Sequence, residues 1–198
     1  MARPDLPSPY AVALFAGFAS GTLSAATLPA FIHMLRNMIG PLPELFEIWI
    51  SFALTVGLSF AVIGGAYARR YHGLRWRGLA VWTLTSMLGI IVAFHASTPF
   101  YDTNDLTNFY QPFLIGSLVG GSIFLIPVLF VGQFTSRLWV FVKGVGFSTA
   151  WALFSAYFLQ LIESDDPLQA PGSVVLFAGW QAAMLLAMAG SALRDARA

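Results

Sequence analysis

The sequence predicts an all-α membrane protein whose single domain crosses the bilayer six times. Two observations carry this prediction: 58% of the 198 residues are hydrophobic while only 10% are charged, and six runs are long and apolar enough to form membrane helices. An ordinary soluble domain has about 25% charged residues, which cover its water-facing surface. The composition therefore excludes a soluble enzyme, a disordered chain and a nucleic-acid-binding protein.

The six runs, called spans 1 to 6, meet the requirement of about 20 mostly apolar residues for a membrane helix. Lys143 in span 5 is the only Asp, Glu, Lys or Arg within them. The remaining residues suffice for short loops and tails alone, so residues 1–198 are predicted to form one transmembrane domain. The spans cover residues 10–35, 48–68, 79–97, 113–134, 138–162 and 174–193.

The basic residues predict the orientation of the chain in the membrane. If the N-terminus is cytoplasmic, nine of the ten Lys and Arg residues fall on the cytoplasmic side, and only Arg36 falls outside. Because Lys and Arg are enriched in cytoplasmic loops, both termini are predicted to be cytoplasmic, and a bacterial inner membrane is the expected location. The loop between spans 2 and 3 is expected to anchor the protein at lipid headgroups through Arg69, Arg70, Arg75 and Arg77.

Small residues predict where the helices touch. Membrane helices associate through close approach of their backbones, so small residues four apart mark contact faces. Span 1 has such a pair in Gly17 and Gly21, and span 4 has another in Gly116 and Gly120. A proline follows each pair, which suggests a weak inverted repeat of spans 1–3 in spans 4–6, an architecture typical of transporters.

A polar ribbon is predicted along span 2. Glu47, Ser51, Thr55 and Ser59 are each four residues apart, which places them along one slowly turning face of an α-helix. Two interpretations remain open. Either the ribbon lines a path for a small polar solute, or its hydroxyls bond to carbonyls four residues earlier and to neighbouring helices.

Two histidines are expected at similar depth near the outer membrane surface, His33 in span 1 and His95 in span 3. They are candidates to ligate a haem b iron, to form a metal site with Glu47, or to sense pH. The alternative is that both donate hydrogen bonds to carbonyls near the headgroups. Cysteine is absent, which excludes thiolate metal sites and disulfides.

The sequence offers no set of nucleophile, base and metal ligands, which argues against an enzyme. Nor does any span carry an acidic residue near its middle, the usual mark of a proton-coupled pump. Three functions remain open. The protein is a transporter or channel for a neutral or weakly polar solute, a non-catalytic accessory or scaffold subunit, or a haem- or quinone-linked redox subunit. The expected partners are the lipid bilayer and either other membrane subunits or further copies of the same chain.

Overall fold

The computed structural model describes residues 7–40, 43–100, 109–161 and 172–191, and every regular element in these ranges is helical. Six helical segments have the length and composition needed to cross a membrane. The prediction of an all-α chain with six spans is therefore confirmed for these ranges. Such a chain is compatible with an integral membrane protein, because helices satisfy their own backbone hydrogen bonds in lipid. Its orientation and its internal repeat stay predictions.

Each span corresponds to one helix, except span 2, which contains two α-helices joined by a π-helical turn. Span 3 ends in a short 3₁₀ turn, Thr98–Phe100. The helices are α1 (Pro9–Ile39, span 1), α2 (Glu44–Phe52) and α3 (Leu58–His72) with the π-turn Ala53–Gly57 between them (span 2), α4 (Trp76–Ser97, span 3), α5 (Gln111–Val131, span 4), α6 (Arg137–Leu161, span 5) and α7 (Gly172–Ala189, span 6).

Several helices begin or end away from the predicted positions. Span 2 reaches His72 rather than residue 68, because Gly73 supplies the left-handed backbone (φ 61°) that commonly ends a helix. Span 1 continues to Ile39. It ends at Gly40, which, like Gly73, has a positive φ angle (83°). Residues 162, 192 and 193 of the predicted spans lie outside the described ranges.

The six spans form a closed ring in chain order. Each span packs against the next one along the chain, and span 6 packs back against span 1. The contacts between spans 3 and 4 and between spans 1 and 6 are the most extensive. Span 6 is also the most enclosed, with 72% of its apolar segment buried against 22–50% for the other five.

Aromatic side chains fill the inside of this ring. Phe60 of span 2 contacts Phe124 of span 4 and Trp180 of span 6, with ring centroids 5.1 and 6.1 Å apart. Because spans 2, 4 and 6 are not consecutive, side chains that join them must lie within the ring. Trp82 of span 3 completes the cluster, edge-on to Phe124 at 4.8 Å. Such contacts add packing energy beyond the burial of their area.

Candidate functional site

The π-turn of span 2 is the most unusual backbone feature among the described residues. Here the Leu58 N–H donates to the carbonyl of Ala53, five residues earlier, which widens the helix. Span 3 approaches closely at this point: a Cβ added to Gly57 would lie 2.7 Å from Met87 Cα. Single π-turns inside α-helices are frequently found at functional sites.

The polar ribbon predicted on span 2 runs through this turn. Ser51 and Thr55 are buried, whereas Ser59 is half-buried. The Thr55 hydroxyl donates to the Ser51 carbonyl at 2.6 Å, which satisfies it within its own helix. The Ser51 hydroxyl is also buried, yet it finds no hydrogen-bond partner among the described residues. A buried unpaired hydroxyl costs about 1–3 kcal/mol, so it calls for an explanation.

Glu47, at the end of the ribbon, forms an ion pair between spans 1 and 2. Its Oε1 accepts a hydrogen bond from Arg36 Nε at 2.5 Å, and its side chain is almost completely buried. Arg36 is the one basic residue that the predicted orientation leaves on the outer side. The pair therefore balances the charges of both residues at this end of the bundle.

Apolar side chains enclose the ribbon between Glu47 and the π-turn. Phe52 stacks on Phe94 of span 3 with ring centroids 5.2 Å apart, and it meets Phe177 of span 6 edge-on at 5.8 Å. These rings form one cluster with buried residues of spans 1 and 2. Ser51 has no exposed surface and Thr55 has only 4%, so this middle part of the ribbon is closed to water in this conformation.

A second polar group joins spans 1 and 6 near the middle of span 6. The Ser20 hydroxyl donates to Gln181 Oε1, and Gln181 Nε2 donates to the Ser24 hydroxyl at 3.3 Å. All three residues are fully buried. This group was not among the sites predicted from the sequence. A glutamine within an apolar helix is the signal that could have found it, but only the packing of span 6 against span 1 reveals its partners.

The glycines of span 1 bring the two backbones together at this group. A Cβ on Gly17 would lie 2.2 Å from Ala182 Cα, and one on Gly21 would lie equally close to Ala178 Cα. Neither glycine can therefore carry a side chain without separating the helices.

The glycines of span 4 face span 3. A Cβ on Gly120 would lie 2.7 Å from the Ala93 Cβ and 3.0 Å from the carbonyl oxygen of Gly89. Gly116 has more room, with the nearest atom, the Ala93 carbonyl oxygen, at 3.4 Å.

Hydroxyl groups also connect spans 4, 5 and 6. Trp180 Nε1 donates to the Ser117 hydroxyl at 3.2 Å, and Ser117 lies 3.3 Å from the Ser148 hydroxyl. The Thr149 hydroxyl donates to Ser117 at 3.4 Å. These bonds hold Trp180 in place inside the ring, where it contacts Phe60.

The two candidate histidines each have a neighbour near the Arg36–Glu47 end. His33 Nε2 lies 3.0 Å from Asn37 Nδ2, one turn further along span 1, and His95 packs edge-on against the Trp49 ring at 5.4 Å. No group of three or more His, Cys, Asp or Glu side chains suited to a metal occurs in the described ranges. Haem b ligation by His33 and His95 stays a prediction, which an absorption spectrum of the purified protein tests directly.

Four arginines lie at the opposite end of the bundle. Arg69 lies over the Trp76 ring at 4.9 Å and Arg70 lies 5.9 Å from the Tyr71 ring, whereas Arg75 and Arg77 are exposed. The Tyr71 hydroxyl donates to the Pro7 carbonyl, which places Pro7, just before α1, at this same end. Contact between these arginines and lipid headgroups stays a prediction.

Comparisons of the chain with protein-family models, curated proteins and solved structures gave no significant match.

Proposed function

We propose that this integral membrane protein is a transporter or channel for a small neutral or weakly polar solute, described here in a closed conformation. The observation that carries the proposal is the unpaired Ser51 hydroxyl, buried next to the π-turn of span 2. Leaving a hydroxyl without a partner in an apolar core destabilises the protein. That cost is explained if the hydroxyl bonds a solute or water in another conformation.

Span 2 is the proposed moving element. Broken or irregular membrane helices are typical of transporters, where the irregular turn lines the solute path. Opening in this proposal separates Phe52, which follows Ser51 directly in the chain, from Phe94 and Phe177. The proposal favours an uncharged solute, because Glu47 is already paired with Arg36.

Solute flux into proteoliposomes tests the proposal. Vesicles containing the purified chain are mixed rapidly with urea or glycerol, and their volume change is followed by light scattering. We expect flux above that of protein-free vesicles. If neither solute nor any other small neutral solute enters faster than through protein-free vesicles, the proposal fails.

Two variants test the ribbon itself. Ser51→Ala removes an unpaired hydroxyl, so it is expected to leave the fold intact or more stable while slowing flux roughly fivefold, the factor that corresponds to a hydrogen bond of about 1 kcal/mol. Thr55→Val is expected to slow flux similarly. Thr27→Val is the matched control, since Thr27 makes the same bond to a carbonyl four residues earlier but lies outside the ribbon. Equal flux in all three variants would remove the ribbon from the mechanism.

A second function, a non-catalytic accessory or scaffold subunit, is favoured by the aromatic cluster that fills the ring. Phe60 contacts Trp82, Phe124 and Trp180 there, and Trp82 also contacts Phe124. A rigid core of this kind suits a structural subunit. Gentle detergent extraction from the native membrane followed by size analysis distinguishes this function from that of a transporter or channel. A larger assembly with other subunits supports this function, whereas a lone monomer or homo-oligomer argues against it.

The proposed location is a bacterial inner membrane with both termini in the cytoplasm. Support comes from the distribution of Lys and Arg in the sequence. Reporter tags fused separately to the two ends are expected to report the cytoplasm for both.

A further inference from the structure

The only lysine of the chain lines a groove between spans 5 and 6. The groove has a volume of about 300 Å³ and lies beside the first turns of α6 and the end of α7. Its polar lining residues are Lys143, Thr135, Ser136 and Ser191, and Trp139 also lines it. Volumes of this size suit the binding of a small chemical group rather than a single water molecule.

Three of the four polar residues of the groove carry donors that have no acceptor among the described residues. The Lys143 ammonium and the hydroxyls of Thr135 and Ser136 have no hydrogen-bond or ion-pair partner in the parts of the chain that the structure describes. The Ser191 hydroxyl already donates to the Met188 carbonyl at 2.9 Å, so it has no further proton to donate to a ligand. Glu47 is paired with Arg36 at the opposite end of the bundle, so it cannot neutralise Lys143. An ammonium and hydroxyl donors facing one groove suit an anion with several oxygen atoms.

The surroundings of the groove indicate that this anion belongs to a lipid. Leu138 and Trp139 are 73% and 61% exposed, so they would face the bilayer, and tryptophan is enriched at the membrane interface. Gly146 and Ala150 are three and seven residues after Lys143 and share its helix face. Both are exposed and small, and a Cβ at Gly146 would meet no atom within 4 Å. They leave the helix surface that continues from Lys143 open.

We propose that the groove binds the phosphate of an anionic glycerophospholipid, with Lys143 as its cation and an acyl chain along Gly146 and Ala150. The long side chain of Lys143 reaches from the helix surface toward the headgroup level, as lysines near helix ends commonly do. Basic pockets between membrane helices bind anionic headgroups by the same chemistry. The proposal is independent of transport, because it concerns only the lipid-facing side of spans 5 and 6.

Native mass spectrometry of the full chain released from detergent micelles tests the proposal. Three probes separate the parts of the ligand: dioleoylphosphatidylglycerol, dioleoylglycerol without the phosphate, and inorganic phosphate without acyl chains. We expect saturable binding of the phospholipid and weaker binding of each part. If inorganic phosphate displaces the phospholipid completely, the site is one for a free anion, and the assignment to lipid is overturned.

Four variants locate the binding. Lys143→Gln is expected to weaken phospholipid binding about fivefold, as removal of one cation near a headgroup predicts, and Lys143→Arg is expected to retain it. Thr98→Ala removes a hydroxyl from an exposed position at the other end of the bundle and is expected to bind as the wild type does. Thr135→Ala, at an exposed position, is expected to give a smaller loss. Unchanged binding by Lys143→Gln, or an equal loss in Thr98→Ala, would overturn the proposal.

Discussion

Arg36 forms an ion pair with the buried carboxylate of Glu47, while its own side chain stays largely exposed. The Arg36 side chain is 60% exposed, whereas the Glu47 side chain that it contacts is 6% exposed. The two members of this pair therefore stand to lose very different amounts when the partner is removed. A buried charge without its partner is costly, whereas an exposed guanidinium is readily solvated.

The pair predicts an asymmetry between two substitutions. Arg36→Gln leaves a buried carboxylate uncompensated and is expected to reduce the free energy of unfolding by about 3 kcal/mol. Glu47→Gln leaves an exposed arginine and is expected to cost less than about 1 kcal/mol. Unfolding in mixed micelles, followed by circular dichroism, measures both values. The double variant should recover most of the loss, and equal costs for the two single variants would contradict this account.

The contact between spans 1 and 6 predicts a strong effect of one methyl group. In Gly17→Ala the new Cβ would lie 2.2 Å from Ala182 Cα, so the backbones must separate. Overpacking of this kind costs about 1–3 kcal/mol. The thermal unfolding temperature in detergent is expected to fall accordingly.

Gly146→Ala is the matched control, because the same methyl group would meet nothing within 4 Å there. Alanine also favours the helix over glycine, so the unfolding temperature should stay the same or rise slightly. A similar fall in both variants would show that the close approach of spans 1 and 6 is not the cause.

Two neighbouring tyrosines predict opposite responses to loss of their hydroxyl groups. The Tyr67 hydroxyl is buried without a hydrogen-bond partner among the described residues, whereas the Tyr71 hydroxyl donates to the Pro7 carbonyl at 3.2 Å. Tyr67→Phe is expected to leave stability unchanged or to raise it by about 1 kcal/mol, because it removes an unpaired polar group. Tyr71→Phe is expected to lower stability by about 1 kcal/mol.

Thermal unfolding of both tyrosine variants in the same detergent checks this pair of predictions. The aromatic rings are retained in each variant, so the difference between them reports the hydroxyl groups alone. A clear loss of stability in Tyr67→Phe would show that its hydroxyl has a partner beyond the described residues of the chain.

The positions of the spans could be predicted from the sequence because burial in lipid imposes long apolar runs, which are visible without knowing any contact. The π-turn could not, because residues Ala53–Gly57 resemble any apolar stretch of helix. The close approach of Gly57 to Met87 belongs to the packing of span 2 against span 3. The ribbon was predicted from residues four apart on a uniform α-helix. That pattern does not distinguish Ser51, which is buried without a partner, from Thr55, which bonds to its own helix.

The side-chain pairs that join different spans could not be predicted from the sequence either. Arg36 and Glu47 were both assigned to the outer side of the membrane, but hydropathy does not indicate whether two charges in one connection meet. The bonds of Gln181 to Ser20 and Ser24 join residues more than 150 positions apart. Contacts at that separation depend on which helices become neighbours. The hydropathy of the separate helices does not predict which of them pack together.

The closure of the ring by its last span has a consequence for biogenesis. Until span 6 has been synthesised, span 1 has its contact with span 2 but lacks its more extensive contact with span 6. During that interval the small-residue face of span 1 is in contact with lipid, and Ser20 and Ser24 lack the glutamine that bonds to them in the finished protein. Assembly is therefore a late event, and a chain interrupted before residue 172 presents membrane proteases with a permanently unfinished bundle.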